Sequence, residues 1–201
     1  MTRVGVLVSG RGSNLQALID AQSAGALGAT IALALSNVAG AGALERATRA
    51  GIECAVIDHR GRARDEYDRE LVARLRDARI DLICLAGFMR RLSAGFVQAF
   101  HQRILNVHPS LLPAFPGLEA QRQALDYGVR VSGATVHLVD DGLDTGPIVL
   151  QEAVPVLASD SVESLSARIL AAEHRIYPAA VRLLTGSRHR VEGRRFTLEA
   201  T

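Results

Sequence analysis

The chain contains no lysine: all 23 of its basic residues are arginine. Schiff-base enzymes, pyridoxal-phosphate enzymes and Walker A nucleotidases each need a lysine amine, so all three classes are excluded. Only two cysteines occur, Cys54 and Cys84, both within apolar runs, which excludes a disulfide framework and the paired spacing of a zinc site. This usage fits a reducing cytoplasm. The histidines His59, His101, His174 and His189 show no metal-ligand spacing either, and no metal is expected. No run approaches the roughly 18 apolar residues of a membrane span. The stretch Met1 to Ser9 has too short an apolar core for a secretory signal, so a cytoplasmic location is expected. The formal net charge is only +2, too small for a protein that lives on a nucleic-acid backbone or an anionic membrane. Neither partner is expected.

What remains is an ordinary globular composition, 48% hydrophobic and 22% charged over 201 residues, enough for one domain with a sizeable core. β-branched or apolar runs at residues 3–8, 30–36, 52–57, 80–86 and 103–107 alternate with helical patterns at 14–24, 42–50, 65–77 and 94–100. That alternation predicts an α/β fold: a Rossmann-like, open, mostly parallel twisted sheet flanked by helices. Beyond residue 107 the texture changes. Pro109, Pro113, Pro116 and Gly117 forbid regular structure, and Leu112–Pro113 is a candidate cis bond. A short helix is expected over 119–127. Strands at 129–139 and 148–156 follow as an antiparallel addition in the C-terminal third, then a long helix over 162–184 disturbed at Pro178. The tail 187–201 reads as a solvated hairpin or coil. The single domain 1–201 thus divides into a phosphate-binding βαβ half, 1–107, and a half with the loop, antiparallel strands and long helix, 108–201.

Three constellations carry chemistry. Ser9-Gly10-Arg11-Gly12-Ser13-Asn14 lies between the first strand and the first helix, where glycines admit a ligand to the backbone and helix N–H groups favour a phosphate. Leu15 replaces the third glycine of a dinucleotide fingerprint, so a monophosphate is favoured over NAD. A tight turn with Ser13 as N-cap and no ligand is the other reading. In Ile104-Leu105-Asn106-Val107-His108-Pro109, strand alternation puts Asn106 and His108 on one face, an amide and an imidazole able to share an oxyanion. The bland reading has them satisfying loop backbone. In Asp140-Asp141-Gly142-Leu143-Asp144-Thr145-Gly146-Pro147, Asp140 and Asp141 read as a solvated turn. Asp144, between two glycines, can be held against His108 as the charge that keeps its imidazole protonated. Arg60 and Arg62 read as solvated; Phe88 and Met89 line an apolar slot or belong to the core; Glu173 is a surface acid or a buried one that needs a partner.

The segments 10–16, 36–37, 85–90, 104–113 and 143–147, in this order and spacing over about residues 3–184, resemble those of phosphoribosylglycinamide formyltransferase, a folate-dependent family of purine biosynthesis. The resemblance implies that the phosphate of the substrate, phosphoribosylglycinamide, sits on Gly12, Ser13 and Asn14, with Glu173 holding its glycyl amine. It places 10-formyltetrahydrofolate, the co-substrate, along Met89, Arg90, Arg91 and Leu92, reaching Arg64 and Asn106. Asn106, His108 and Asp144 match the family's catalytic set. The sequence departs from the family at Glu119 and Gln121, where histidines are frequent, and at Arg91, where an apolar residue is. The alternative is another formyltetrahydrofolate-using transferase or hydrolase. A tRNA-directed relative is expected to carry a further basic C-terminal domain, and a deformylase an N-terminal regulatory domain. A non-enzymatic phosphosugar-binding module would leave Asn106, His108 and Asp144 without a shared purpose. A monomer or homodimer acting on small molecules is expected.

Overall fold

The computed structural model describes residues 1–199. Strand β1 (Arg3–Val8) shows how the sheet is built: Val4, Val6 and Val8 enter one core while Leu7 enters the other, the period-two alternation of a strand covered on both faces. Helix α1 (Ser13–Ser23), β2 (Thr30–Ser36), α2 (Gly42–Arg49), β3 (Glu53–Val56), α3 (Arg64–Asp77), β4 (Leu82–Leu85), α4 (Ala94–Ala99) and β5 (Ile104–His108) complete the alternating half. Then come α5 (Ala120–Tyr127), β6 (Val131–Leu138), β7 (Ile148–Pro155), α6 (Val162–Gly186), β8 (His189–Glu192) and β9 (Arg195–Leu198).

The described residues form one nine-stranded sheet in the order β3-β2-β1-β4-β5-β6-β7-β9-β8. Strands β3 through β5 are parallel, whereas β6 runs antiparallel to β5 and to β7. The chain winds outward from β1 to β3 and then returns to place β4 on the other side of β1, so the order reverses between them. At such a switch point the carboxyl ends of the strands open a crevice, because the connections leave in opposite directions. Helices α1, α2 and α6 cover one face, around Leu15, Leu18, Ala43 and Ile169; α3 and α4 cover the other, around Tyr67, Leu71, Phe96 and Phe100. No helix of the described residues is long and apolar enough to cross a membrane.

The expected elements are present, with two corrections, to strand bounds and to a helix cap. Strands expected at 52–57 and 80–86 shorten to Glu53–Val56 and Leu82–Leu85, since the Ile52 and Ile80 N–H groups close the preceding helices on Ala47 and Leu75 carbonyls at 2.9 and 3.0 Å. Ser13 is not the N-cap. Gly12 is, in the left-handed region at φ 76°, where a Cβ would stand 2.6 Å from Ala43; Ser13 begins the helix. Pro178 does not interrupt α6, which is held through that turn by the buried Tyr177, Ala180 and Val181 and started by a Ser161/Ser164 capping box. The tail is a hairpin joined to the sheet through β9, which pairs in parallel with β7 at Ile148 and Arg195. The Leu112–Pro113 bond is cis.

One side chain ties α6 to the crevice. The buried Tyr177 hydroxyl lies 3.0 Å from the carbonyl of Leu85, the last residue of β4, and 3.2 Å from that of Leu105 within β5. Tyr177→Phe removes this donor from two buried acceptors, and urea unfolding is expected to show a loss of about 1–3 kcal/mol. A variant as stable as the parent would show that the hydroxyl is not part of what joins the helix to the sheet.

Candidate active site

The antiparallel pairing of β5 with β6 sets Asn106 directly opposite His137. Their side chains meet, Asn106 Nδ2 lying 3.2 Å from His137 Nε2, while His137 Nδ1 lies 2.9 Å from the Leu138 carbonyl. Burial holds His137 below the usual imidazole range, outweighing the Leu138 bond and the attraction of Asp144. A neutral ring satisfies both contacts in one way: Nδ1–H donates to Leu138, and Nε2 accepts from the Asn106 amide. This orients Asn106 and leaves its second amide hydrogen uncommitted to His137.

His108, two residues along β5, is buried on the same side of the strand. Its Nε2 donates to the Phe115 carbonyl at 2.8 Å, and its Nδ1 stands 3.5 Å from Asp144 Oδ2. The other carboxylate oxygen is 3.7 Å from His137 Nε2, so one acid stands between two imidazoles. Asp144 Oδ2 also accepts the Gly117 N–H at 2.8 Å, which couples the acidic turn to the proline-rich loop. The turn is specified sterically: a Cβ on Gly142 would lie 1.9 Å from Thr145 Oγ1, and one on Gly146 would lie 1.8 Å from the Leu138 carbonyl. Asp140 is not merely solvated; its Oδ1 accepts from the Gly142 N–H at 3.1 Å and the Thr145 hydroxyl at 2.6 Å.

Asn106, His108 and Asp144 line a cleft of about 740 Å³ together with Met89, Arg90, Arg91 and Leu92. Met89 is exposed in this cleft and not core; Glu119 and Gln121, the departures noted above, also line it. Arg64 does not: it is the exposed first residue of α3. Nor is Arg62 simply solvated, since it pairs with Glu66 and Glu70 at 3.2 and 2.6 Å. Arg60 pairs with Asp58 at 2.5 Å, with both side chains largely in solvent.

The glycine loop lies beside this cleft, Ser9 Oγ accepting the Met89 N–H at 2.8 Å. Asn14 Nδ2 donates to Glu173 Oε2 at 2.7 Å, while Asn14 Oδ1 is buried without a partner among the described residues. Glu173 precedes Tyr177 by one helical turn on α6, so the two share a face, Glu173 turned to the loop and Tyr177 to β4 and β5. Glu173 is thus the buried acid with a partner. Burial pushes its carboxyl up to about 7, against the opposing effect of the Asn14 bond. His137 is the residue that sequence reasoning missed; its signal was the alternation of Thr135 and His137 along a strand antiparallel to the one bearing Asn106 and His108.

Comparisons with known proteins agree with this geometry. The family model described as formyl transferase matches residues 2–181. A phosphoribosylglycinamide formyltransferase of Escherichia coli (strain K12) is 48% identical over 88% of this chain and 84% of that protein. The "Trifunctional purine biosynthetic protein adenosine-3" of Drosophila melanogaster is 55% identical over 90% of this chain, which spans only 14% of that longer protein. Among solved structures, glycinamide ribonucleotide transformylase 1 from Symbiobacterium toebii superimposes with a TM-score of 0.96 at 53% identity, covering 98% of this chain and 94% of that one. The chain belongs to the formyl transferase family. Within it, the chain is a member of the phosphoribosylglycinamide formyltransferases.

The state of Glu173 is measurable through stability. Between its ordinary 4.5 and about 7, the folded protein keeps a proton that the unfolded chain releases. The contribution is therefore complete below the lower value and is lost as pH rises through the upper one. Glu173→Gln deletes this dependence, so the variant is expected to gain stability relative to the parent between pH 5 and pH 8 in urea unfolding. An equal difference at both pH values would show that this carboxyl is not raised.

Proposed function

We infer that this protein transfers the formyl group of 10-formyltetrahydrofolate to the glycyl amine of 5'-phosphoribosylglycinamide, in de novo purine biosynthesis. The observation that carries the reading is the placement of Asn106, His108 and Asp144 along one side of a cleft whose rim is hydrogen-bonded to a glycine loop at a helix N-terminus. The family comparisons support the same reaction.

In this reaction a C–N bond forms between the glycyl nitrogen and the formyl carbon, and the bond from that carbon to the folate N10 breaks. One amine proton leaves the nucleophile and one ends on N10. Negative charge grows on the formyl oxygen as the amine adds. Asn106 Nδ2, oriented by His137, donates to that oxygen, and the His108 ring lines the cleft beside it. The Asp144 carboxylate faces His108 Nδ1 at 3.5 Å and fixes the ring beside the cleft. Gly12, Ser13 and Asn14 receive the phosphate with main-chain N–H groups at the start of α1, where the helix dipole favours an anion. Glu173 accepts from the amine-bearing half of the same substrate. Met89, Arg90, Arg91 and Leu92 form the wall along which the folate lies, and Arg64 takes a carboxylate of its tail. The enzyme works in the cytoplasm on small molecules and needs no metal.

Incubation with both substrates tests the reading: release of tetrahydrofolate at micromolar enzyme is expected, and no release refutes it. Asn106→Ala is expected to lower kcat by roughly 10²- to 10³-fold, the cost of a lost oxyanion donor, with substrate affinity much less affected. A variant keeping more than about a tenth of the parent's kcat contradicts that role.

A further inference from the structure

A hydrogen-bonded rail runs along the carboxyl edge of the sheet in the spatial order of the strands, β3 to β2 to β1 to β4. It starts at His59, beyond β3. The ring Nδ1 of His59 stands 3.2 Å from both the side-chain Nδ2 and the main-chain oxygen of Asn37, so either neutral tautomer ties the ring to Asn37. Asn37, directly after β2, accepts the Ser9 hydroxyl on Oδ1 at 2.6 Å. Ser9, directly after β1, in turn accepts the Met89 N–H beyond β4 at 2.8 Å. Ser9 in the middle of the chain both donates and accepts, which strengthens its neighbours' bonds.

The rail closes on itself from the other side. The His59 ring meets the Tyr67 ring edge-on, with centroids 6.3 Å apart, and the Arg90 guanidinium lies over the Tyr67 ring, 4.8 Å from its centroid. Tyr67, in the first turn of α3, is fully buried in the core. Arg90 Nε has no hydrogen-bond partner, so among the described residues it is the aromatic face that positions this guanidinium. Met89 is therefore held through its main chain and Arg90 through its side chain, and both line the cleft.

We propose that Ser9, Asn37, His59 and Tyr67 are positioning residues that fix the folate-binding wall at Met89 and Arg90 in its binding shape before the co-substrate arrives. The proposal rests on the folate reading of that wall. Its energetic logic is preorganisation: a segment following a four-residue strand would otherwise lose its freedom only on binding, at the expense of affinity. The rail touches neither Asn106 nor His108, so its loss acts on co-substrate affinity and not on the chemical step.

The test uses Ser9→Ala, which removes the link to Met89, Asn37→Ala, which removes the middle of the rail, and Ser9→Thr, which restores a hydroxyl. The Met89 amide exchange rate in the ligand-free enzyme and the KM for each substrate are measured together. Loss of one such hydrogen bond is expected to raise the Met89 exchange rate and the KM for 10-formyltetrahydrofolate about tenfold in Ser9→Ala, with kcat and the other KM within about twofold. Asn37→Ala is expected to follow in the same direction, and Ser9→Thr to return both values toward the parent. Unchanged Met89 exchange in Ser9→Ala overturns the rail, and faster exchange with an unchanged folate KM, or with both KM values rising together, overturns its positioning role. A parent enzyme that uses no 10-formyltetrahydrofolate overturns the functional reading and, with it, the role assigned to the rail.

Discussion

The Asp144 carboxylate is the constraint on which the site depends. One of its oxygens faces His108 Nδ1, the other faces His137 Nε2, and the first also takes the Gly117 N–H. Every one of these partners belongs to a different segment: the end of β5, the interior of β6 and the proline-rich loop. A carboxylate this shielded from water is costly unless it is compensated, so the three segments are held around it as much as it is held by them. The glycines at 142 and 146 make the approach sterically feasible, because side chains there would collide with Thr145 and with the Leu138 backbone. The two imidazoles that face this acid are both buried but are held by different groups. His137 is committed to Leu138 and Asn106, whereas His108 is bonded to the Phe115 carbonyl and turns Nδ1 to the carboxylate.

The sheet topology determines what surrounds this centre. Reversal of strand order between β1 and β4 opens the crevice, and the antiparallel β6 brings His137 to Asn106, which a continued parallel sheet would not do. Helix α6 spans both parts: Tyr177 reaches the backbone of β4 and β5 at Leu85 and Leu105 while Glu173, one turn earlier, reaches Asn14. Two substrates can then meet because their binding segments are fixed to common supports, with the glycine loop bonded to the cleft wall through Ser9 and to α6 through Asn14. In a chain without lysine, charge in these regions comes from arginine, backbone N–H groups and imidazole.

Much of this was legible from residue order alone. Strand alternation puts Asn106 and His108 on one side, and the glycine pair marks Asp144 as the rigid acid of its turn; both are local rules of backbone geometry. The open sheet follows from the alternation of apolar runs and amphipathic stretches, although Ile52 and Ile80 closed helices in place of extending strands. What sequence left hidden is long-range. His137 matters through register with β5, Glu173 through a contact 159 residues away, and Ser9, Asn37 and His59 through an order of strands that is not the order of the chain. The Ser13 cap failed for a related reason: the close approach of Ala43 demands a left-handed glycine at position 12, and that glycine takes the cap.

The central claim, that a neutral His137 beside the Asp144 carboxylate orients Asn106, is tested most directly by ¹⁵N NMR of the histidine rings at pH 7 in the parent and in Asp144→Asn. The account predicts that His137 is neutral in both proteins, with its proton on Nδ1. A charged His137 in the parent, or a neutral ring with its proton on Nε2, would contradict it.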